Sequence, residues 1–399
     1  MGDSMKYNLE TVKKIIHDVV EEEKKKYNLD VDFYPVTPIE FYTEHIVKLL
    51  KSKQSISSKY YLVTLPIYAS GVNINEDELD ENNIFLFLKR SRTIKKNDRN
   101  LYTLLHTCYH ELWHSVQTGF DEYSYEGFLD GIDNCLKNML FSDYLTEHPK
   151  YSFEIGANLY AATMAKEYLL KHYPEIYEKE KDYIEQKEKQ AKFYYQTYDL
   201  SYNIELMINT IKKKVNGKKV SNLDKVSPIL PIFLNDDISF KKVSEIISNE
   251  KFKSLDRRII YAFFSNNIFL ESIDFEKLSS EELAIVQESL QYTSILYQNQ
   301  FKVLDNEIDV NLIDFLKVEK NILRRFSHTC IYIEKVLKHE FNSKRNDEEK
   351  LSHMDSISGY LERTNELIKK RSRGYITINI FYIVGFILSV LTFGYLLIK

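Results

Sequence analysis

His110-Glu111-Leu112-Trp113-His114 constrains this 399-residue chain more than any other segment, because it demands a helix and a cation together. On a helix, residues i and i+4 stand one above the other on the same face. His110 and His114 can therefore bind one metal ion through their ring nitrogens. Glu111, one position on, points beside that ion. From there its carboxylate can take a proton from a zinc-activated water and later hand it to a leaving amine. Hydrolysis of an amide bond at neutral pH is the chemistry this arrangement suits.

The flanking residues agree with a helix. Asn97, Asp98 and Asn100 offer capping side chains, the next residues predict one helix from Leu101 to about Thr118, and Gly119 supplies a stop. Leu101, Leu104, Leu105, Cys108, Leu112 and Val116 recur at helical spacing, so much of this helix is expected to be buried. Two imidazoles and a carboxylate on such a helix need partners, and a metal provides them. The plainer alternative is a solvated His/Glu face. His106 lies one turn before His110, and three successive turns span too far for one ion. It reads as a packed or hydrogen-bonded histidine.

A catalytic zinc takes three protein ligands and leaves one position open. A third histidine at short fixed spacing is excluded, since Gln117 and Phe120 stand where Gly and His would be required. A downstream carboxylate remains. Glu154 opens the segment Glu154-Ile155-Gly156-Ala157-Asn158-Leu159-Tyr160-Ala161-Ala162, a predicted helix continuing to about His172. Gly156, Ala157, Ala161 and Ala162 keep one side of it slim enough to dock closely against the helix of His110. The alternative is a surface glutamate stabilised by the helix dipole. Asp121, Glu122 and Glu126 compete as ligands but lie in a Gly- and Tyr-containing loop; any of them could orient a ligand histidine from outside the coordination sphere.

HExxH followed by E-x-x-A-N-x-[F/Y]-A-A resembles the gluzincin metallopeptidases and, within them, the ImmA/IrrE-like endopeptidases. The resemblance covers about residues 60 to 170. It implies His110, His114 and Glu154 as zinc ligands and Glu111 as general base. It also implies a small zincin-like domain whose strand near Ile84–Leu88 forms the sheet edge that pairs with an extended substrate, although an ordinary internal strand reads equally well there. A transcriptional repressor or other regulatory protein would be the substrate. The gap from His114 to Glu154 is longer than the family pattern, and no DNA-binding helix-turn-helix is evident.

The expected fold class is α+β: a zincin-like domain over residues 1–172, an all-helical region over 173–373, and one transmembrane helix over 375–398. Val12, Ile15, Ile16, Val19 and Val20 predict an amphipathic helix ahead of a Glu/Lys run at 21–26. Thr37-Pro38-Ile39-Glu40 is a capping box with Pro at the first helical position, launching a helix to about Ser52. Tyr60 to Ala69 and Ile84 to Leu88 read as strands. Beyond Pro174, Glu175 to Lys214 predicts one or two long helices, Ser279-Ser280-Glu281-Glu282 caps another running to about Val303, and Asn346 opens a last one to about Arg371.

Tyr375 to Ile398 is an uncharged, mainly apolar run of about 24 residues, long enough for a ~30 Å hydrocarbon core. Lys369, Lys370, Arg371 and Arg373 precede it and Lys399 alone follows, so the N-terminal side is expected to face the cytoplasm. Met1–Lys14 lacks the apolar core of a signal peptide. The expectation is a tail-anchored, single-pass membrane protein with membrane lipid as a partner. A net charge of −5 leaves no footprint of nucleic-acid binding. Cys108, Cys135 and Cys330 are odd in number and widely spaced, which argues against a disulfide framework or a Cys-based zinc site and fits a reducing compartment. Two functions follow as expectations: a membrane-tethered zinc endopeptidase acting on a cytoplasmic protein or peptide, or a membrane-anchored helical interaction protein with a structural or inactive metal site.

Overall fold

The computed structural model describes residues 9–52, 63, 71–76, 81–88, 99–121, 123–139, 152–197, 204, 244–245, 247–306, 312–342, 362, 366 and 369–370. The chain divides into two units, Met1–Tyr195 and Gln196–Lys399. Helix α1 (Leu9–Tyr27) opens the first. Val12, Ile15, Ile16, Val19 and Val20 are all buried, as their spacing predicts, and each contributes roughly 1.5–3 kcal/mol by leaving water. The helix ends where Asn28 takes a left-handed conformation (φ 53°) and the Leu29 amide donates back to the Lys24 carbonyl at 3.0 Å.

Strand β1 (Asp32–Val36) leads into α2 (Pro38–Glu40), a π-helical turn (Phe41–His45) and α3 (Ile46–Ser52). Both halves of the predicted capping box form: the Thr37 amide donates to Glu40 Oε2 at 2.6 Å, and the Glu40 amide donates to Thr37 Oγ1 at 3.3 Å. Strands β2 (Gly71–Glu76) and β3 (Glu81–Phe87) complete a sheet of order β1-β3-β2, with β1 parallel and β2 antiparallel to β3. Period-2 alternation splits the apolar run of β3. Ile84, Leu86 and Leu88 face the core shared with α1, while Phe85 and Phe87 face a smaller core with Phe41, Ile46 and Leu49. The segment near Ile84–Leu88 is thus the middle of the sheet, because neighbours on both sides use its hydrogen bonds. The expectation of a substrate-pairing edge there is corrected. Tyr60–Ala69, the other expected strand, lies outside the described residues except for Val63, which is helical.

Helix α4 (Arg99–Thr118) carries the HExxH residues, followed by α5 (Tyr125–Met139), α6 (Ser152–His172) and α7 (Pro174–Thr197). α4 packs most extensively on α6, and it also lies against α1, β2 and β3. Ala157, Ala161, Ala162 and Ala165 are fully covered, so small side chains let the two helix backbones approach. α7 joins the same core through Ile176, Tyr177 and Ile184.

The second unit contains α8 (Glu250–Lys253), α9 (Arg257–Phe264), α10 (Asn267–Ser272), a 3-10 turn (Phe275–Lys277), α11 (Ser280–Asn306) and α12 (Leu312–Asn342). The second predicted capping box also forms, with the Ser279 amide donating to Glu282 at 2.7 Å and the Glu282 amide to Ser279 Oγ at 3.2 Å. α9 and α12 both pack on α11.

Two expectations are corrected. Helix accounts for 83% of the described residues and strand for 6%, so the described part is mainly helical with one small sheet, not α+β. Among the described residues, strand is confined to three short segments and helix makes up most of the rest. The membrane anchor is the second. No helix among the described residues is long and apolar enough to cross a membrane. Even α12, the longest of them, carries Asp314, Lys317, Glu319, Lys320, Arg324 and Arg325, charges that a hydrocarbon core does not accept. The 375–398 stretch lies outside the described residues, as does most of the 346–371 segment expected to be helical. The membrane-lipid partner and the single-pass, cytoplasm-facing localisation are withdrawn with the anchor.

Candidate metal centre

Helical geometry brings the two histidines of α4 together as expected. His110 Nε2 and His114 Nε2 lie 3.1 Å apart with their rings nearly perpendicular (85°). Glu154, in the first turn of α6, reaches both: Oε2 is 3.2 Å from His110 Nε2 and Oε1 is 3.2 Å from His114 Nε2. The side chains are 14%, 9% and 5% exposed for His110, His114 and Glu154, so the group is shielded without being sealed. The three side chains form a group that could hold a metal ion.

The donor set fits a small cation. A tetrahedral ion with bonds of about 2.0–2.2 Å places its ligands roughly 3.3 Å apart, and the contacts here, at 3.1–3.2 Å, are only slightly shorter. Two imidazole lone pairs facing each other at 3.1 Å repel unless a proton or a cation lies between them. Burial pulls the His110 imidazole down in pKa, but the hydrogen bond and charge of Glu154, supported by Glu111 and Asn158, outweigh it, and the net direction is upward. A carboxylate that favours positive charge on the imidazole favours a metal cation there too.

His114 is held on two sides by residues that also bind each other. Its ring stacks on Phe153 (4.5 Å between centroids, 7° between planes), and its Nδ1 lies 2.9 Å from Gln117 Oε1. Gln117 Nε2 in turn donates to the Phe153 carbonyl at 3.1 Å. His110 Nδ1 is buried without a hydrogen-bond partner of ordinary geometry, with the Asn158 side chain as its polar neighbour.

Glu111 is buried beside the group, and its charge reaches His110. The head of β2 comes very close to it. A Cβ added at Gly71 would stand 2.8 Å from Glu111 Cγ and 2.7 Å from Thr107 Cγ2. Only glycine permits that approach without displacing one of the two. Gly71→Ala is accordingly expected to cost about 1–3 kcal/mol by overpacking. The readout is a lower urea midpoint at constant m-value, and an unchanged midpoint would contradict the close contact.

The other sequence candidates fall elsewhere. Asp121 accepts the Tyr123 amide at 2.7 Å in the turn before α5, Glu126 lies in the first turn of α5, and Glu122 is outside the described residues. Among the described residues no further group of three His, Cys, Asp or Glu side chains converges. His106 is the packed histidine expected: burial first, then the His110 charge, pushes its pKa down to about 3. Tyr160 belongs to a different network. Its hydroxyl donates to Glu23 and also meets Tyr27 at 3.2 Å and Lys26 at 3.1 Å, while its ring stacks on Trp113 at 4.0 Å. Sequence reasoning missed Gln117 and Phe153 as partners of His114. The one available signal was the i, i+3 spacing of His114 and Gln117, which puts both on one face of α4.

The chain matches no family model, no curated protein and no solved structure. The functional reading therefore stands on the side chains themselves.

Proposed function

We propose that this chain is a zinc-dependent metalloendopeptidase of the gluzincin type, hydrolysing peptide bonds of a protein or peptide substrate. The observation that supports it is the convergence of His110, His114 and Glu154 from two helices, with Glu111 as the neighbouring carboxylate. His110, His114 and Glu154 would hold the ion. When bound, zinc supplies Lewis-acid chemistry, acidifying a water and polarising a carbonyl. Glu111 takes the proton of the attacking water on a carboxylate oxygen and then passes it to the leaving amine nitrogen, acting first as base and then as acid. Packing of α6 on α4 holds the ligands on rigid elements and limits water around them, which strengthens every charge interaction in the site. Zinc is favoured over harder cations because two of the three donors are imidazole nitrogens.

Metal analysis and a cleavage assay on the full chain test the reading. About one zinc per chain is expected, as a three-ligand site with one open position requires. Cleavage of a proteome-derived peptide library should disappear with a chelator and return with added zinc. Absence of metal uptake overturns the site, and metal bound without cleavage of any peptide overturns the peptidase.

A further inference from the structure

Gln117 reads in the sequence only as the residue that stands where the three-histidine pattern requires Gly. Its surroundings give it another task. The side chain is 3% exposed and makes two directed contacts, to His114 Nδ1 and to the Phe153 carbonyl. A peptide carbonyl can only accept, so the amide nitrogen of Gln117 must face Phe153. Its oxygen then faces His114 and accepts, which places the His114 proton on Nδ1. The lone pair is left on Nε2, the nitrogen that meets His110 and Glu154.

We propose that Gln117 is a positioning residue that sets the tautomer of His114 and ties the helix of the histidines to the helix of Glu154. The inference rests on the metal-centre reading above for its purpose, while its geometry stands independently. Three contacts close a ring: His114 Nδ1 to Gln117, Gln117 to the Phe153 carbonyl, and the Phe153 side chain back onto the His114 ring. Glu154 is the next residue after Phe153, so the strut that orients the imidazole also registers the carboxylate. Room for it comes from Gly156, where an added Cβ would lie 3.4 Å from Gln117 Nε2 and begin to press on it. His110 has no such partner at Nδ1. The two histidines thus differ: a well-formed hydrogen bond fixes Nδ1 of His114, whereas Nδ1 of His110 has only the Asn158 side chain nearby, without a hydrogen bond of ordinary geometry.

Long-range proton–nitrogen correlation spectra of the metal-free, full-length, 15N-labelled chain at about pH 8, above the ordinary imidazole range, read the tautomer directly. His114 is expected to show a protonated Nδ1 and an unprotonated Nε2. In Gln117→Leu the two tautomers should mix, and zinc affinity by chelator competition should fall about 10–100-fold, as when a group that orients a ligand is lost. Gln117→Glu keeps an acceptor for Nδ1–H and should restore the tautomer and bring affinity back to within about 10-fold, although it loses the donor to Phe153. A gap-filling glutamine would not give that pattern. A native His114 protonated on Nε2 overturns the inference even if Gln117→Leu fails to fold, and so does a folded Gln117→Leu with native tautomer and native affinity. The native tautomer is read without metal or substrate, so a failure of the peptidase reading leaves this result separately decided.

Discussion

Glu111→Gln should leave about one zinc per chain in place while kcat for peptide cleavage falls about 10²–10⁴-fold, the usual contribution of a positioned general base. The amide has the same shape as the carboxylate, so the close packing against Gly71 is preserved. What it lacks is a basic oxygen. Glu111 is not one of the three converging ligand side chains, so metal content should not follow activity down. KM should change little, since a group that acts only in proton transfer contributes little to ground-state binding. Equal loss of zinc and activity would move Glu111 into the ligand set, and full retention of cleavage would remove it from the reaction.

Glu154→Gln should do the reverse and take the metal away. The carboxylate stands 3.2 Å from both His110 Nε2 and His114 Nε2 and is the only formal negative charge among the three converging side chains. Its neutral amide can still hydrogen-bond but coordinates weakly. Zinc affinity should drop by more than the ~10–100-fold that loss of an orienting partner costs. The pH dependence adds a second readout. Glu154 raises the His110 pKa, so protons compete for that imidazole at a higher pH than for an ordinary one. Binding requires neutral imidazole, hence zinc uptake by the native chain weakens as pH falls through that raised value. Glu154→Gln removes the largest of the raising influences, so acid release should begin at lower pH even though affinity is poorer throughout. An unchanged affinity in the variant would exclude Glu154 as a ligand.

The contrast between His114 and Glu23 shows how far residue spacing carries. His110 and His114 were placed together by helical pitch alone, a purely local property, and the small residues of α6 marked the face that docks on α4. Both capping boxes were legible for the same reason, since four consecutive residues complete the motif. Glu23 reads as one member of a Glu/Lys run, yet it is 3% exposed and accepts the Tyr160 hydroxyl from 137 residues away. No local pattern signals such a partner. The middle position of β3 was hidden likewise: its continuous apolar run says that both faces are covered but not which strands flank it.

Composition and periodicity, then, set the helices, their caps and the two histidines, because each depends on residues within a turn or two of one another. The meeting of Glu154 with that pair was foreseeable only as a possibility along the chain; its realisation needed α6 to dock on α4 in one register. The tautomer-setting contact of Gln117 and the approach of Gly71 to Glu111 arise from the same docking and from the placement of β2. Contacts between segments far apart in the chain depend on how surfaces fit, and that information is spread over every residue of the interface.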